Sequence, residues 1–392
     1  MSRLPLLLVL ALAVGCTNDR SEGPGGNYWP DAGDTADVDA RDGIASDANE
    51  SGDSGVGLDP RLDTGNSDAG TDADELPDSG DARDLTDARD TNGVLDVGTD
   101  TDAMADTPSD TAEDTPDGDV PDTSATPVGC VTEVGAGHHI LPCDADIRFD
   151  VEVPEACLGG GCGVIVDVHG LSMDADQQDR NTNMRARGRE YGYLVVQPNA
   201  PNRAWNGGQH DGAVWGFLQD VVNAYHADRD RLHFMGFSQG ADMTLRMLCA
   251  HADELGSVAP AATNGLDCPE LPSAEIAILH LHGTADVLYN FGLAERLRDR
   301  VIEHWNYGEG QVIADDPAHR AWRHRSAAAT VYEFHAHDFR AESGLLGGHC
   351  FPGSPDTEAT LPNQLFPYAC LGEDQFDYAA LAMAFFLAHP AR

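Results

Sequence analysis

A serine between two glycines is the strongest chemical feature of this sequence. Residues 236–240 read Gly-Phe-Ser-Gln-Gly, with a short apolar run at 231–235 before them and an amphipathic run at 241–249 after them. In a tight turn from a strand into a helix, Cβ groups beside the serine would clash, and the strained turn holds the hydroxyl clear of the sheet. The pattern therefore predicts that Ser238 is a nucleophile at the N-terminus of a helix. The alternative is an ordinary Gly/Ser turn.

Asp286 and His349 are the two further groups that an activated serine needs. Asp286 ends the segment His-Gly-Thr-Ala-Asp at 282–286, and His349 follows two glycines beyond the last run that reads as a strand. A histidine base takes the proton of the serine, and a carboxylate fixes the tautomer of the base and stabilises the imidazolium. The chain order Ser238, Asp286, His349 is that of the α/β-hydrolases.

Two backbone N–H groups are candidates for an oxyanion hole. Leu171 follows His169 and a glycine at the end of an apolar run, and Gln239 comes directly after the nucleophile. Donors at these places would hold the negative charge that develops on a carbonyl oxygen. His169 itself is predicted to be packed and hydrogen-bonded rather than catalytic.

His335 and His337 are the alternatives to His349 as the base. His335 lies within the strand-like run 331–335, where alternation would hold its side chain on one face of the sheet, and His337 lies just past that run. Neither has the neighbouring glycines that let the backbone at His349 turn toward Ser238. The scattered histidines also lack thiolate or carboxylate partners at a metal-binding spacing. We therefore expect them to be structural, and we expect neither a metal nor another cofactor.

The elements that must position these groups alternate along residues 129–392. Runs typical of strands lie at 147–153, 164–168, 193–196, 231–235, 276–281 and 330–335. Helical patterns lie at 213–225, 239–251, 291–305 and 376–389. Apolar strands that alternate with helices indicate an α/β fold, with a mostly parallel sheet and helices on both faces. The segment 129–392 is long enough to form one large core.

At these motifs the chain resembles the secreted polyhydroxybutyrate depolymerases and their feruloyl and acetylxylan esterase relatives, over about residues 145–390. The segments that carry the resemblance are Val-His-Gly at 168–170, Trp-Asn-Gly-Gly at 205–208, Asp-Arg at 230–231, the motifs at 236–240 and 282–286, and Gly-His-Cys-Phe-Pro-Gly at 348–353. The resemblance implies an α/β-hydrolase that cleaves carboxylic esters. It also implies that Ser238 is the nucleophile, His349 the base and Asp286 the residue that orients the base.

Two departures from the family pattern lie near the expected mouth of the site. Ser238 is followed by Gln-Gly-Ala rather than Asn-Gly-Gly, and residues 337–346 lengthen the loop before His349. The polymer specificity of the relatives is therefore not carried over. We expect an ester substrate, and a polyester or a plant polysaccharide ester if it is polymeric. Trp205 is a candidate for lining an acyl or aromatic-ring pocket, with simple packing as the alternative.

The first 16 residues read as an export signal. A positively charged start is followed by an apolar stretch at 4–14, which is shorter than the roughly 20 residues that a membrane-spanning helix needs. The stretch ends in Ala-Val-Gly-Cys, which resembles the bacterial lipobox, so that Cys16 is predicted to be acylated and to become the mature N-terminus. The alternative is an ordinary cleaved signal. We therefore expect an exported protein that is either lipid-anchored to the bacterial cell envelope or secreted.

Residues 17–128 form a separate low-complexity region that carries 31 acidic residues against 5 arginines. This composition cannot bury enough apolar surface to offset the entropy of ordering, which predicts a disordered acidic linker before the catalytic domain at 129–392. The formal net charge of the whole chain is −44. Such a charge argues against nucleic acid as a partner and leaves the N-terminal lipid as the expected membrane contact. We expect the protein to be a monomer.

Nine cysteines divide into Cys16 and eight within residues 129–392. An even number in an exported domain predicts disulfides. The spacing favours four local pairs, Cys130–Cys143, Cys157–Cys162, Cys249–Cys268 and Cys350–Cys370. The alternative is that these cysteines are free and buried.

Two functions of other kinds stay open from the sequence. One is a hydrolase fold used as a non-catalytic surface binding module, and the complete set of Ser238, Asp286 and His349 speaks against it. The other is a peptidase or a lipase of the same fold. A lipase usually has a helical lid and a wide apolar patch, and the sequence shows a clear pattern for neither.

Overall fold

The computed structural model of the protein describes residues 124–143, 146–266, 268, 270–360, 364–365 and 367–391. The predicted signal segment with Cys16, and the predicted linker up to residue 123, lie outside the described residues. Those assignments therefore stay predictions.

The folded region includes residues that the sequence had placed in the linker. The backbone N–H of Ala125 donates to the carbonyl of Leu158 at 3.2 Å, and that of Thr126 donates to the carbonyl of Ala224 at 2.8 Å. The folded region thus starts at or before Ala125, which is earlier than the predicted start at Gly129.

A ten-stranded sheet forms the centre of this region. Its strands are β1 (Gly137–Pro142), β2 (Arg148–Val153), β3 (Gly163–Val168), β4 (Tyr193–Asn199), β5 (Leu232–Phe237), β6 (Ser257–Ala261), β7 (Ala277–Gly283), β8 (Gln311–Asp315), β9 (His319–Arg325) and β10 (Val331–His337). They lie side by side in the order β1-β2-β4-β3-β5-β6-β7-β10-β9-β8. The six strands from β4 to β10 in this order are parallel. Antiparallel pairs complete both ends.

Helices cover both faces of the sheet. They are α1 (Ala175–Thr182), α2 (Met184–Tyr191), α3 (Asp211–Ala224), α4 (Gln239–His251), α5 (Phe291–His304) and α6 (Tyr378–Ala388). Side chains of α3, α4 and α5 join one buried cluster with Val164 and Val166 of β3, whereas those of α2 and α6 join a second cluster with Ile165. Because successive strand residues point to opposite faces, the two clusters lie on opposite sides of the sheet. The predicted α/β fold with a mostly parallel sheet is confirmed.

The hairpin β8–β9 was not evident from the sequence. It lies at one end of the sheet, β8 has only three apolar residues and is largely exposed, and β9 reads His-Arg-Ala-Trp-Arg-His-Arg, without an apolar run. The hairpin places β10 inside the sheet, between β7 and β9. Since β10 extends to His337, the prediction that His337 lies just past the strand is wrong. Strands β1 and β6 and helices α1 and α2 were also absent from the predicted elements.

Disulfides tie several loops to the core. The structure contains the four bridges that the spacing favoured, Cys130–Cys143, Cys157–Cys162, Cys249–Cys268 and Cys350–Cys370. The last of these joins the residue after His349 to the short strand β12 (Cys370–Leu371), which pairs with β11 (Arg340–Ala341). Within the described ranges, no helix combines the length and the apolar character needed to cross a bilayer.

Candidate active site

Ser238 occupies the turn between β5 and α4. Its backbone has φ 56° and ψ −122°, a conformation that non-glycine residues rarely adopt. A Cβ on Gly236 would lie 2.4 Å from the carbonyl oxygen of Gly240, and a Cβ on Gly240 would lie 2.1 Å from that of Val168. These distances give the physical reason for both glycines of the motif. The turn therefore has the strained strand-to-helix geometry that the sequence predicted, with the serine at the first turn of α4.

Asp286 and His349 form a buried pair. His349 Nδ1 lies 2.8 Å from Asp286 Oδ2, and the other carboxylate oxygen accepts the N–H groups of Leu288 and Tyr289, each at 2.8 Å. Because the carboxylate accepts, Nδ1 carries the proton and Nε2 is left as the basic nitrogen. Burial alone would raise the pKa of Asp286, but the neighbouring His349 outweighs it and the pKa lies below its ordinary value. Asp286 is therefore charged at neutral pH.

Glycines bring the backbone of His349 against that of Asp286. The N–H of Gly348 donates to the carbonyl of Ala285 at 2.9 Å, and Gly347 pairs with Asp286 in an isolated bridge. A Cβ on Gly348 would lie 2.9 Å from the backbone nitrogen of Asp286, which no side chain tolerates without a shift. The long loop before His349 thus returns to the end of β7 through a contact that only glycine permits.

The imidazole of His349 packs against two aromatic rings. It contacts Phe237 in a tilted arrangement, with ring centroids 4.7 Å apart, and it stacks on Tyr289, with centroids 5.6 Å apart and planes 8° from parallel. Phe237 is the residue immediately before Ser238, so the ring lies beside the nucleophile turn. His349 Nε2 is buried and has no hydrogen-bond partner among the described residues. The basic nitrogen is therefore unoccupied in the resting geometry.

The loop after β3 lies against the same turn. A Cβ on Gly170 would lie 3.1 Å from the Cβ of Ser238, so the backbone that leads to Leu171 passes close to the nucleophile. The carbonyl of Leu171 accepts the hydroxyl of Tyr368 at 3.3 Å. The N–H groups of Leu171 and Gln239 have no acceptor in the part of the chain that the structure describes. Both predicted oxyanion donors thus remain unpaired beside Ser238.

His169 and Trp205 hold this loop in place. His169 donates from Nδ1 to the carbonyl of Gly170 at 2.7 Å and accepts the N–H of Ala200 at Nε2, and burial lowers its pKa to about 4. Trp205 is only 4% exposed; its indole N–H donates to the carbonyl of His169 at 2.8 Å, and its backbone N–H donates to the side chain of Gln239 at 3.0 Å. The structure thus matches the packed histidine that the sequence predicted. Trp205 is packed against this loop, and its role in lining a substrate pocket stays a prediction.

His335 and His337 do not reach Asp286 through a hydrogen bond in the described residues. His335 lies between Glu333, at 3.1 Å, and His319, at 3.0 Å. His337 is buried beside the Cys350–Cys370 bridge, and burial lowers its pKa to about 3. Because both sulfurs are consumed by the disulfide, this grouping offers no thiolate to a metal ion. The histidine paired with the acid is His349.

Three residues at the site were not predicted from the sequence. Tyr289 donates its hydroxyl to Asp242 Oδ2 at 2.8 Å, and Thr263 donates its hydroxyl to Asp242 Oδ1 at 2.5 Å. Asp242 carries a sequence signal, since it follows Ser238 by four residues and so lies one helical turn further on α4. Tyr289 and Thr263 carry none, because they come from loops distant along the chain.

Comparison with known proteins finds similarity to esterases over part of the chain. The family described as Phospholipase/Carboxylesterase matches residues 217–333. A bifunctional acetylxylan esterase/xylanase of Neocallimastix patriciarum is 23% identical over 145 residues, which are 35% of this chain and 22% of that protein. Feruloyl esterase D of Neurospora crassa is 26% identical over 113 residues, 28% of this chain and 39% of that protein. The chain therefore spans less than half the length of either curated relative.

Solved structures with a similar fold include two further esterases. The acetyl xylan esterase from Aspergillus awamori has a TM-score of 0.42 and 14% identity, covering 51% of this chain and 93% of that one. The poly(3-hydroxybutyrate) depolymerase from Bordetella parapertussis has a TM-score of 0.33 and 17% identity, covering 44% of this chain and 76% of that one. The resemblance to the depolymerase and feruloyl or acetylxylan esterase group, expected from the motifs, is confirmed by the family match and the curated relatives.

Proposed function

We propose that this protein, which has the α/β-hydrolase fold and esterases as its relatives, is a serine carboxylic ester hydrolase. The observation that carries the proposal is the state of His349. Its Nδ1 is held by Asp286 at 2.8 Å, its ring packs on the residue before Ser238, and its Nε2 is buried without a partner in the described residues. A buried basic nitrogen beside a strained serine is the arrangement that nucleophilic catalysis needs.

In the first half of the reaction, Ser238 is acylated. Its Oγ attacks the carbonyl carbon of the ester while the hydroxyl proton passes to His349 Nε2, and Asp286 stabilises the resulting imidazolium. The carbonyl oxygen becomes an oxyanion that accepts hydrogen bonds from the backbone N–H groups of Leu171 and Gln239. When the tetrahedral intermediate collapses, the bond to the alcohol oxygen breaks and His349 returns its proton to that oxygen. The alcohol leaves, and the acyl group stays on Ser238.

In the second half, water releases the acyl group. His349 Nε2 takes a proton from the water as its oxygen attacks the acyl carbon, and the same two N–H groups hold the second oxyanion. Collapse breaks the bond to Ser238 Oγ, which recovers its proton from His349. One ester and one water thus give one acid and one alcohol, and no cofactor enters the balance.

The substrate class that we propose follows from the relatives. The relatives are named as an acetylxylan esterase, a feruloyl esterase and a poly(3-hydroxybutyrate) depolymerase. Each of these names refers to the cleavage of an ester. We propose a plant polysaccharide ester or a polyester as the natural substrate. A peptidase, a lipase or a non-catalytic binding module on the same fold is the competing function.

Turnover by the purified protein tests the proposal. We expect hydrolysis of p-nitrophenyl acetate and of at least one of three polymers, acetylated xylan, feruloylated arabinoxylan or polyhydroxybutyrate film. We expect Ser238→Ala to abolish it, and a fluorophosphonate probe to label the wild type at Ser238 alone. Absence of any ester turnover, with polymer binding retained, would favour the binding module. Faster cleavage of amides or of long-chain triacylglycerols would favour the peptidase or the lipase.

We also propose that the protein is exported and held at the cell envelope through a lipid on Cys16, with residues 17–123 as a spacer. The support is the motif at Cys16 and the acidic low-complexity composition after it. We expect Cys16→Ser to leave esterase activity intact and to move the protein from the membrane fraction to the soluble fraction. Retention of the variant in membranes would contradict the lipid anchor without affecting the proposed activity.

A further inference from the structure

Tyr289 contacts several parts of the proposed machinery. Its backbone N–H donates to Asp286 at 2.8 Å, and its backbone carbonyl lies 3.0 Å from His282 Nε2. Its ring stacks on His349, and its hydroxyl donates to Asp242 on α4 at 2.8 Å. The acid, the base and the helix of the nucleophile therefore meet at a single residue.

The stack and the hydrogen bond together restrict the imidazole. A stacked ring by itself can slide over its neighbour, because offset arrangements of aromatic rings differ little in energy. The hydroxyl of Tyr289 is fixed by Asp242, whose other carboxylate oxygen accepts Thr263. Since α4 begins at Gln239, directly after Ser238, Asp242 lies in the first turn of the helix that follows the nucleophile. The tyrosine ring thus has one end attached to the acid loop and the other attached to the nucleophile helix.

We propose that Tyr289 and Asp242 act as a positioning pair, which holds the imidazole of His349 at a fixed height over the Ser238 turn. The proposal rests on the proposed function. Neither residue takes part in bond making; the pair acts through His349. Because proton transfer from Ser238 requires Nε2 within hydrogen-bond reach, small displacements of the ring reduce kcat steeply. The expected signature is a loss in kcat rather than in KM.

The charges around the stack determine what each substitution does to the pH profile. The titratable groups there are Asp242 from α4, His282 and Asp286 from β7 and the loop after it, and His337 from β10. Burial and the Asp242 carboxylate raise the pKa of Tyr289 far above its ordinary value, so the hydroxyl stays a donor at all working pH values. Removing the hydroxyl exposes the negative charge of Asp242, whereas removing the carboxylate deletes that charge.

The test is a double-mutant cycle on the full-length protein with p-nitrophenyl acetate. We expect Tyr289→Phe and Asp242→Asn each to lower kcat about fivefold to tenfold with KM changed less than about twofold, and the double variant to be no slower than the slower single variant. The acid limb of kcat/KM should move to higher pH in Tyr289→Phe and to lower pH in Asp242→Asn, because a nearby negative charge favours the imidazolium. Tyr378→Phe, which removes a buried hydrogen bond of 2.9 Å to the carbonyl of Ala259, is the matched control and should change neither quantity.

The outcomes separate this inference from the function on which it rests. The positioning pair would be overturned if the loss in the double variant equalled the sum of the two single losses in free energy, or if the acid limbs of the variants coincided with that of the wild type. Either result could occur while the wild type still turned over esters. If either variant folds poorly, its melting temperature will fall together with kcat. The inference is then judged from kcat and the pH profile of the better-folded single variant, each compared with the wild type. If the wild type itself did not turn over esters, the proposed function would fail first, and Ser238→Ala would already show it.

Discussion

Two buried histidine–carboxylate pairs in this molecule differ in what the second ring nitrogen contacts. His349 is bound to Asp286 at 2.8 Å, and His335 to Glu333 at 3.1 Å. The remaining nitrogen of His335 lies 3.0 Å from His319, whereas the remaining nitrogen of His349 has no partner in the described part of the chain. A histidine with both nitrogens engaged ties two strands together. A histidine with one free basic nitrogen beside a serine is equipped to accept a proton.

The carboxylates of the two pairs also differ in the groups that they contact besides the histidine. Glu333 also accepts Arg323 at 2.6 Å, so that a cation already balances its charge. In the described residues, Asp286 accepts hydrogen bonds from the backbone N–H groups of Leu288 and Tyr289 and from His349, lies 3.8 Å from His282 Nε2, and pairs with no arginine. The charge of Asp286 is therefore left to stabilise an imidazolium. The same residue types thus form a structural cluster in β9 and β10 and the proposed catalytic pair of Asp286, after β7, and His349.

Replacing each histidine by alanine should give the largest difference in kcat between the two pairs. We expect His349→Ala to lower kcat by at least about 10³-fold, as for other members of such triads. His335→Ala should lower kcat less than about threefold per folded molecule, and His337→Ala should lower it about tenfold or less. Steady-state kinetics on p-nitrophenyl acetate measures all three. Near-normal turnover in His349→Ala, with collapse in His337→Ala, would move the base to the other side of the loop.

The next largest effect should come from the disulfide that adjoins His349, compared with a disulfide elsewhere in the domain. Opening Cys350–Cys370 with a double Ala substitution should lower stability by about 3 kcal/mol, because a loop of that length is no longer closed in the unfolded state. It should also lower kcat about tenfold, since the loop that carries His349 loses its anchor. The matched control is the double Ala variant of Cys249–Cys268, with a similar separation of 19 residues against 20. The control should lose similar stability and keep its kcat; equal kcat in both variants would contradict the role of the anchor.

The pH dependence of stability should report on the structural pair. Burial would raise the pKa of Glu333, but the hydrogen bonds from His335 and Arg323 outweigh it and hold the pKa below its ordinary value. Such a carboxylate contributes stability that is present above its unfolded pKa of about 4.3 and lost as the pH falls through the folded value. Glu333→Gln should therefore lower stability at pH 7 by about 1–3 kcal/mol and flatten the acid loss. Thermal unfolding across pH measures this, and unchanged kcat at pH 7 is part of the expectation.

The smallest effect belongs to the region before the folded part. Deletion of residues 30–120 should leave kcat and the melting temperature unchanged, because the composition of that segment predicts a disordered linker. Both histidine pairs would then be shown to depend on the domain alone. A clear fall in melting temperature on deletion would mean that the predicted linker packs on the domain.

The sequence could predict those features that depend on local context. Gly236 and Gly240 flank Ser238 within five residues, and the strand and helix that the turn needs adjoin it directly. The same holds for the glycines before His349. The apolar runs of β3, β5 and β7 identified the parallel centre of the sheet, because strands buried on both faces must be almost wholly apolar. Strands β8 and β9 escaped prediction because an edge pair exposed to solvent has no such requirement.

The sequence alone provided the candidate residues Ser238, Asp286 and His349 with their chain order, and its spacing favoured the four local cysteine pairs. The tertiary structure alone decided the partners of each ring nitrogen: both nitrogens of His335 are engaged, whereas Nε2 of His349 has no partner among the described residues. It likewise decided that Trp205 is buried, and that Tyr289 meets Asp242 from 47 positions away. Contacts of that kind carry no periodicity in the sequence, because they form only when separate loops converge at one edge of a folded sheet.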